Sequence, residues 1–306
     1  MNNISPKVTI ITSFFKADKY IDHYLNHIKN IFGYRKLCIH HIYNILGSHQ
    51  NNELVNQKLQ KFADEYPNFE LKSIKKDPGL YGLWNISVKT ATTPYIMTLN
   101  IDDMCEPEYV VRGLREIEKE WVDVVSCPIK VTKKINASFD DYHVVWYKKK
   151  KFYYDTRYNI QEQRKIANII ITLDGKYYET KCNRVYKIHA KKIPTKYKRS
   201  LMVYYKTYCL EDMFTDWKCD DNYMSFNMPH CSPIWKRELH HKYGYFNEDK
   251  YGVYADFEFW LRLLKNGKRF IQMDKPMVLY LEDDNSHNRR DGKRDEFMVR
   301  LKREYL

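Results

Sequence analysis

Between residues 7 and 127 short apolar, β-branched runs alternate with amphipathic stretches, and this alternation constrains the fold more than any other feature of the 306-residue chain. Residues 7–12 (KVTIIT), 37–43, 69–74, 95–99 and 122–127 read as strands. Between the first two, Asp18 is placed to cap a helix whose one face carries Tyr20, Ile21, Tyr24, Leu25, Ile28, Ile31 and Phe32. Asn52 is placed to cap a second helix bearing Leu54, Val55, Leu59 and Phe62, and Pro67 stops it. The Pro78-Gly79 turn precedes a short helix over 83–90, and Pro107 opens another that runs to about Trp121. Strands alternating with helices predict an α/β fold, a mostly parallel sheet covered on both faces. In such sheets ligands gather at the carboxyl ends of the strands.

The alternation breaks near Lys130. From there to about Tyr223 the chain is rich in Lys and Tyr without a clear period, and reads as an inserted subdomain. It contains a lysine run at 148–151 and a segment, IANIIITLDGKYYETK, expected to form a hairpin turning at Asp174-Gly175. Regular signals resume at Met224: helices over 237–243 and 256–266, with Gly267 as a C-terminal stop, then strands over 269–272 and 277–280. The tail, RRDGKRDEFMVRLKREYL, reads as a charged helix with room for a dimer contact, although nothing here fixes an oligomeric state.

A net charge of +13 points to anionic partners: nucleotides, nucleic acid or a membrane surface. The seven cysteines are scattered without a CxxC pair, and the histidines do not supply zinc-finger spacing, so reduced thiols are expected. MNNISPKV lacks a basic region followed by an apolar one, and no stretch is long and apolar enough to span a bilayer. The expectation is a soluble, cytoplasmic protein without a signal peptide.

The chemistry concentrates in residues 77–103, DPGLYGLWNISVKTATTPYIMTLNIDD. An apolar strand runs directly into Asn100, Asp102 and Asp103. Adjacent carboxylates at the end of a buried strand are costly unless a positive charge joins them, and Mg²⁺ typically uses one or two carboxylates plus phosphate oxygens. The plainer reading is a strand ending in a solvated turn.

Three blocks together resemble family 2 glycosyltransferases of the GT-A fold: KVTIITSFFKADKYIDHYLNHI, the 77–103 block, and SPIWKRELHHKYGYFNEDKYGVYADFEFWLRLLKNGKRF. The middle block is the most specific. The family writes D-x-G-[IL]-Y-x-A-x-N, a short helix, then a strand closing on L-N-x-D-D; this chain keeps Asp77, Gly79, Tyr81, Asn85 and LNIDD, with Leu83 in place of Ala. The resemblance implies a GT-A (Rossmann-like) mixed, mostly parallel sheet and one domain over 1–306. In it, 1–129 binds the nucleotide-sugar, 130–223 is the insertion, and 224–306 binds the acceptor. It further implies transfer of a sugar from a nucleotide-sugar, a UDP-sugar by preference, to a hydroxyl with inversion, assisted by Mn²⁺ or Mg²⁺. By similarity Asp103 binds the metal, Asp102 the metal or ribose, and Asn100 stands at the first acidic position of the family motif. Asp256 corresponds to the base, with Glu258 a second candidate because Ala255 replaces a common Glu. The donor grip would come from Thr12, Ser13, Asn44, Asp77, Tyr81 and Asn85, with Asn44 replacing a usual Asp. A late ligand would be His287, with Arg289 and Arg290 near the phosphates; an imidazole there would favour Mn²⁺. Arg262 is either a donor-phosphate contact or an i,i+4 partner of Glu258. Trp235, Trp260, Tyr251 and Tyr254 are candidates to line the acceptor cleft, although Trp260 is expected in the core.

Three other classes compete. A nucleotidyltransferase would open with a Gly-rich basic loop, which TSFFKADKY lacks. A catalytically degenerate scaffold is suggested by Asn44, Asn100 and Ala255. Binding of nucleic acid or an anionic surface through 142–206 is suggested by interleaved Lys and Tyr.

Overall fold

A computed structural model describes residues 5–142, 231–273, 275–282 and 294–306; between 143 and 230 it describes short strands and single positions. The chain divides into two compact units, residues 1–149 with 208–306, and residues 150–207.

The first unit contributes β1 (Val8–Phe14), β2 (Cys38–Ile45), β3 (Phe69–Ile74), β4 (Tyr95–Thr98), β5 (Met104–Cys105), β6 (Val124–Ser126), β7 (Ile129–Thr132) and β8 (Val144–Trp146). The second contributes β9 (Ile169–Ile171), β10 (Tyr177–Lys181), β11 (Arg184–Ile188) and β12 (Lys206–Thr207). The first unit resumes with β13 (Trp217–Cys219), β14 (Asn222–Met224), β15 (Ile234–Lys236), β16 (Phe270–Gln272) and β17 (Val278–Leu281). Its helices are α1 (Ile21–Lys29), α2 (Tyr34–Leu37), α3 (Asn52–Glu65), α4 (Leu80–Thr90), α5 (Tyr109–Ile117), α6 (Glu238–Tyr243), α7 (Glu248–Tyr251), α8 (Ala255–Lys265) and α9 (Arg294–Tyr305).

In the main sheet these strands follow the order β16-β6-β15-β4-β1-β2-β3. β1 pairs in parallel with β2 and β4, and β2 with β3. Covered on both faces, β1 needs an almost continuous apolar or β-branched run, and Val8, Ile10, Ile11 and Phe14 are buried. β15 is antiparallel to both β4 and β6, so the sheet is mixed. Helix α5 crosses β15 closely: a Cβ at Gly113 would collide with Ile234 Cδ1. A second sheet, β5-β17-β7-β8, follows β4, so residues 100–103 link two sheets. Strands β7 and β8 fall in the first unit, so the stretch beginning at Lys130 contributes to it before the second unit starts. Within the second unit, β9, β10 and β11 form an antiparallel ladder, with Tyr177 opposite Ile171. Those strands pair as the expected hairpin requires; its Asp174-Gly175 turn lies outside the described residues.

Two expected caps are corrected. Asp18 accepts the N–H groups of Gln50 (3.1 Å) and Asn51 (2.9 Å), and α1 starts after Tyr20 without a side-chain cap. The cap of α3 is Asn51, which accepts from Leu54 N at 3.0 Å, while Asn52 Oδ1 accepts from Gly47 N at 2.9 Å. Asp18 is drawn away by the backbone just before α3, and at α3 two adjacent asparagines are candidates for one cap. Phe32 and Leu54, assigned to apolar helix faces, are exposed. Helix α8 is the strongest apolar anchor: Phe257, Phe259, Trp260, Leu261 and Leu263 are all buried. Each such side chain contributes roughly 1.5–3 kcal/mol by leaving water.

Candidate active site

The carboxyl end of β4 carries the acidic pair into the turn before β5. Asp103 is 2% exposed, whereas Asn100 and Asp102 are half-buried. The Asp103 carboxylate accepts from Asn100 Nδ2 (3.0 Å), Cys231 Sγ (3.2 Å) and the Leu281 N–H of β17 (3.4 Å). Burial pushes its pKa well above the carboxylate range, and the neighbouring Asp102 charge pushes it further. The three donors oppose that rise but none is a cation. A buried carboxylate beside a second acidic residue is what a divalent ion relieves.

Among the described residues, no three His, Cys, Asp or Glu side chains are arranged to hold a metal. Two carboxylates without a protein cage still suit a hard cation that completes its shell with substrate phosphates. The chemistry of the donor set therefore fits a divalent cation. His287, the third expected ligand, lies outside the described residues, as do Arg289 and Arg290 and most of 142–206.

The contact from Cys231 was not foreseen. Cys231 (φ 45°) and Ser232 (φ 53°) both adopt left-handed backbone, an unfavourable state for non-glycine residues. Tyr109 holds the turn by donating from its hydroxyl to Ser232 O at 2.7 Å. Pro233 follows, directly before β15. The Ser-Pro pair marks a turn in the sequence, but nothing local reveals that the thiol faces Asp103.

Helix α4 is tied to the 246–256 segment at three points. The Asn85 side chain donates to Phe246 O (2.9 Å) and accepts from Phe246 N (3.0 Å). Glu248 accepts the N–H groups of Tyr81 and Gly82 at the start of α4. Those bonds hold its pKa down, while burial, the larger effect, raises it. Gly79 (φ +81°) makes this approach possible, since a Cβ there would stand 2.8 Å from Glu248 Oε2. Third, the Tyr81 hydroxyl lies 2.8 Å from Asp256 Oδ1 and 2.8 Å from Val253 O. Tyr81 and Asn85, expected as donor contacts, join α4 to the segment that carries Asp256.

Asp256 sits in the first turn of α8, half-buried, with Oδ1 also 2.8 Å from the Phe257 N–H. Residue Tyr254, not Asp256, occupies the N-cap position. Glu258 is not available as a second base. It is 3% exposed and accepts from Arg262 Nε (3.1 Å), Arg262 Nη2 (2.6 Å) and the Tyr305 hydroxyl. Arg262 also donates to Tyr245 O (3.0 Å) and to Tyr243 O, which spends its fork on structure rather than on a donor phosphate.

Other expected residues are placed as follows. Thr12 is buried, with its hydroxyl 2.6 Å from Tyr24 Oη and 2.9 Å from His40 Nε2, and it donates to Leu99 O at 2.6 Å. It braces the ends of β1 and β4 from within the core. Ser13, next along β1, points the other way and is half-buried. Asn44 is also buried: it accepts from His49 Nε2 at 2.8 Å and donates to Asn56 Oδ1. Asp77 is exposed and accepts from Gly79 N at 2.9 Å, which shapes the turn before α4. Trp260 is in the core as expected. Trp235 is fully buried too, which removes it from the cleft candidates. Tyr251 is buried with its hydroxyl 2.7 Å from Glu304, whereas Tyr254 is half-buried.

Comparison with known proteins places this geometry. The model of glycosyl transferase family 2 matches residues 9–178. No curated protein sequence matches the chain. Among solved structures, S. aureus TarS 1–349 in complex with UDP-GlcNAc is similar with a TM-score of 0.55 at 13% identity, over 92% of this chain and 60% of that one. The mannosyltransferase PcManGT from Pyrobaculum calidifontis, in complex with GDP-Man and Mn²⁺, is similar with a TM-score of 0.54 at 12% identity, over 98% of this chain and 64% of that one. The chain thus spans a little under two thirds of the length of these proteins, and at such identities the likeness shows the fold, GT-A. Since the family model covers more than half of its residues, the chain belongs to glycosyl transferase family 2.

Proposed function

We propose that the protein transfers a sugar from a nucleotide-sugar, a UDP-sugar by preference, to an acceptor hydroxyl with inversion, and that it does so with a divalent cation, Mn²⁺ or Mg²⁺. In this reading residues 1–306 form one GT-A domain, in which 1–129 serve the donor and 224–306 the acceptor. The observation that carries it is the buried Asp103 beside Asp102 at the end of β4, where burial and the Asp102 charge together raise the Asp103 pKa. TarS bound to UDP-GlcNAc and PcManGT bound to GDP-Man and Mn²⁺ support the same reading.

Asp102 and Asp103 would hold the cation, which when bound neutralises charge developing on the departing diphosphate. Asn100 and Cys231 keep the Asp103 carboxylate in place. On the acceptor side Asp256 takes the proton of the attacking hydroxyl. The acceptor oxygen forms its bond to the anomeric carbon, the bond from that carbon to the phosphate oxygen breaks, and its electron pair leaves with the nucleoside diphosphate. One displacement inverts the anomeric centre. General-base assistance of this kind contributes typically 10²–10⁴-fold.

The test is turnover of UDP-Glc, UDP-Gal, UDP-GlcNAc and GDP-Man with Mn²⁺, by wild type and Asp256→Asn. Release of one nucleoside diphosphate, reduced at least about 100-fold in the variant, supports the assignment. Equal turnover by both proteins refutes Asp256 as the base.

A further inference from the structure

The three ties between α4 and the 246–256 segment differ in kind. Asn85 and Glu248 engage backbone groups, but Tyr81 reaches the carboxylate read above as the base. Its ring is buried (5% exposed), edge-on to Trp84 with ring centres 5.1 Å apart, and 5.7 Å from Phe246. The hydroxyl therefore has little freedom; its single proton lies between the Asp256 carboxylate and the Val253 carbonyl, each 2.8 Å away, and a carboxylate is the stronger acceptor.

We propose that Tyr81 is a positioning residue for sugar transfer, its hydroxyl fixing Oδ1 of Asp256 and so setting both the direction and the basicity of that carboxylate. The inference rests on the reading of Asp256 as the base. It gives α4, which follows the donor-side Asp77-Pro78-Gly79 turn, a direct hold on the acceptor-side chemistry. A hydrogen bond donated to a carboxylate favours its charged form. Tyr81 thus holds Oδ1 in one direction for the proton it is to accept. Besides Asp256, the titratable group whose charge acts on Tyr81 is Glu248 on α7, among the described residues. Glu258 on α8 is held by Arg262 and Tyr305 instead. Burial raises the Tyr81 pKa well above its ordinary value, and Asp256 adds to the rise, so the phenol keeps its proton to donate.

The experiment is Tyr81→Phe, which keeps the ring packing and removes only the hydroxyl. The Asp256 carboxyl is followed by ¹³C NMR of aspartate-labelled protein, with its resonance assigned by its loss in Asp256→Asn. In Tyr81→Phe the Asp256 titration should move to higher pH, because the charged form has lost a donor. Hydrolysis of UDP-GlcNAc with Mn²⁺ should lose roughly tenfold in kcat with KM unchanged, the size expected for one charge-assisted hydrogen bond. An unmoved Asp256 titration in a variant that melts like wild type overturns the proposal. So does a raised KM with unchanged kcat, which would return Tyr81 to donor binding. Full activity in Asp256→Asn would overturn the underlying base assignment instead, and the NMR titration separates that failure from the first.

Discussion

Arg262→Ala tests whether the conspicuous arginine of α8 serves the fold or the donor. The substitution removes the paired contacts to Glu258 (3.1 and 2.6 Å) and the donations to the Tyr243 and Tyr245 carbonyls. It strands a carboxylate only 3% exposed, with Tyr305 left as its partner. Breaking a buried pair from one side costs about 3–5 kcal/mol. The Arg262 side chain is itself 22% exposed, which favours the lower end, about 3 kcal/mol. Against a total of about 5–15 kcal/mol this is a large loss. Urea unfolding followed by tryptophan fluorescence measures it, with Trp260 two residues earlier on the same helix as reporter. The midpoint should fall sharply, while UDP affinity with Mn²⁺, measured on the folded variant, should stay within about twofold, or ~0.4 kcal/mol. Glu258→Gln combined with Arg262→Met should cost less than Arg262→Ala alone, because no charge is then left buried. A wild-type midpoint with UDP affinity down tenfold would refute this reasoning and put Arg262 on the donor.

Stability should peak near pH 6.5. Burial lowers the pKa of His27 and His41 to about 4 and of His240 to about 3, and holds His40 well below its ordinary value. The unfolded chain takes these protons below pH 6.5 while the folded one refuses them, so stability falls on acidification. Asp103 acts oppositely, since its raised pKa keeps a proton on the folded state and stability drains as pH rises above the ordinary carboxylate value. These histidines, with His49 lowered by burial too, outweigh Asp103 and the raised Glu248 on the acid side, and above 6.5 the aspartate slope remains; urea midpoints across pH 4–9 without divalent ions check the shape. Gly79→Ala forces left-handed backbone on alanine against Glu248, and should lower the thermal midpoint through a loss of at least about 1 kcal/mol. Cys231→Ala removes the thiol donor to Asp103 and should weaken Mn²⁺-dependent UDP binding severalfold in calorimetry, whereas Cys231→Ser should retain most of it.

The parallel core was legible because a strand buried on both faces leaves an unmistakable apolar run, as in β1. The antiparallel β15 was not: Ile234–Lys236 is too short to show alternation, and its neighbours β4 and β6 are remote in sequence. Helix starts misled where several polar residues crowd together, because Asp18, Asn51 and Asn52 can each cap and only their three-dimensional partners decide. Within the site, the acidic turn after β4 and the start of α8 were readable as places where carboxylates cost energy. Sequence could not separate Asp256 from Glu258, since both lie in the first turn of one helix; a tail residue, Tyr305, and Arg262 claim the second. Thr12 and Asn44 stand at strand ends, where ligands usually bind, yet their side chains turn inward to His40 and His49. Strand direction alone does not report that choice.

The central claim is that Asp103 lies where a cation and a nucleoside diphosphate bind together. Calorimetric titration of wild type and Asp103→Ala with UDP, GDP, CDP and dTDP, each with and without Mn²⁺, tests it directly. The account predicts that wild type binds UDP only when Mn²⁺ is present and that Asp103→Ala, still folded, loses that binding. Mn²⁺-independent binding of equal strength in both proteins, or no nucleotide binding under any condition, would contradict it.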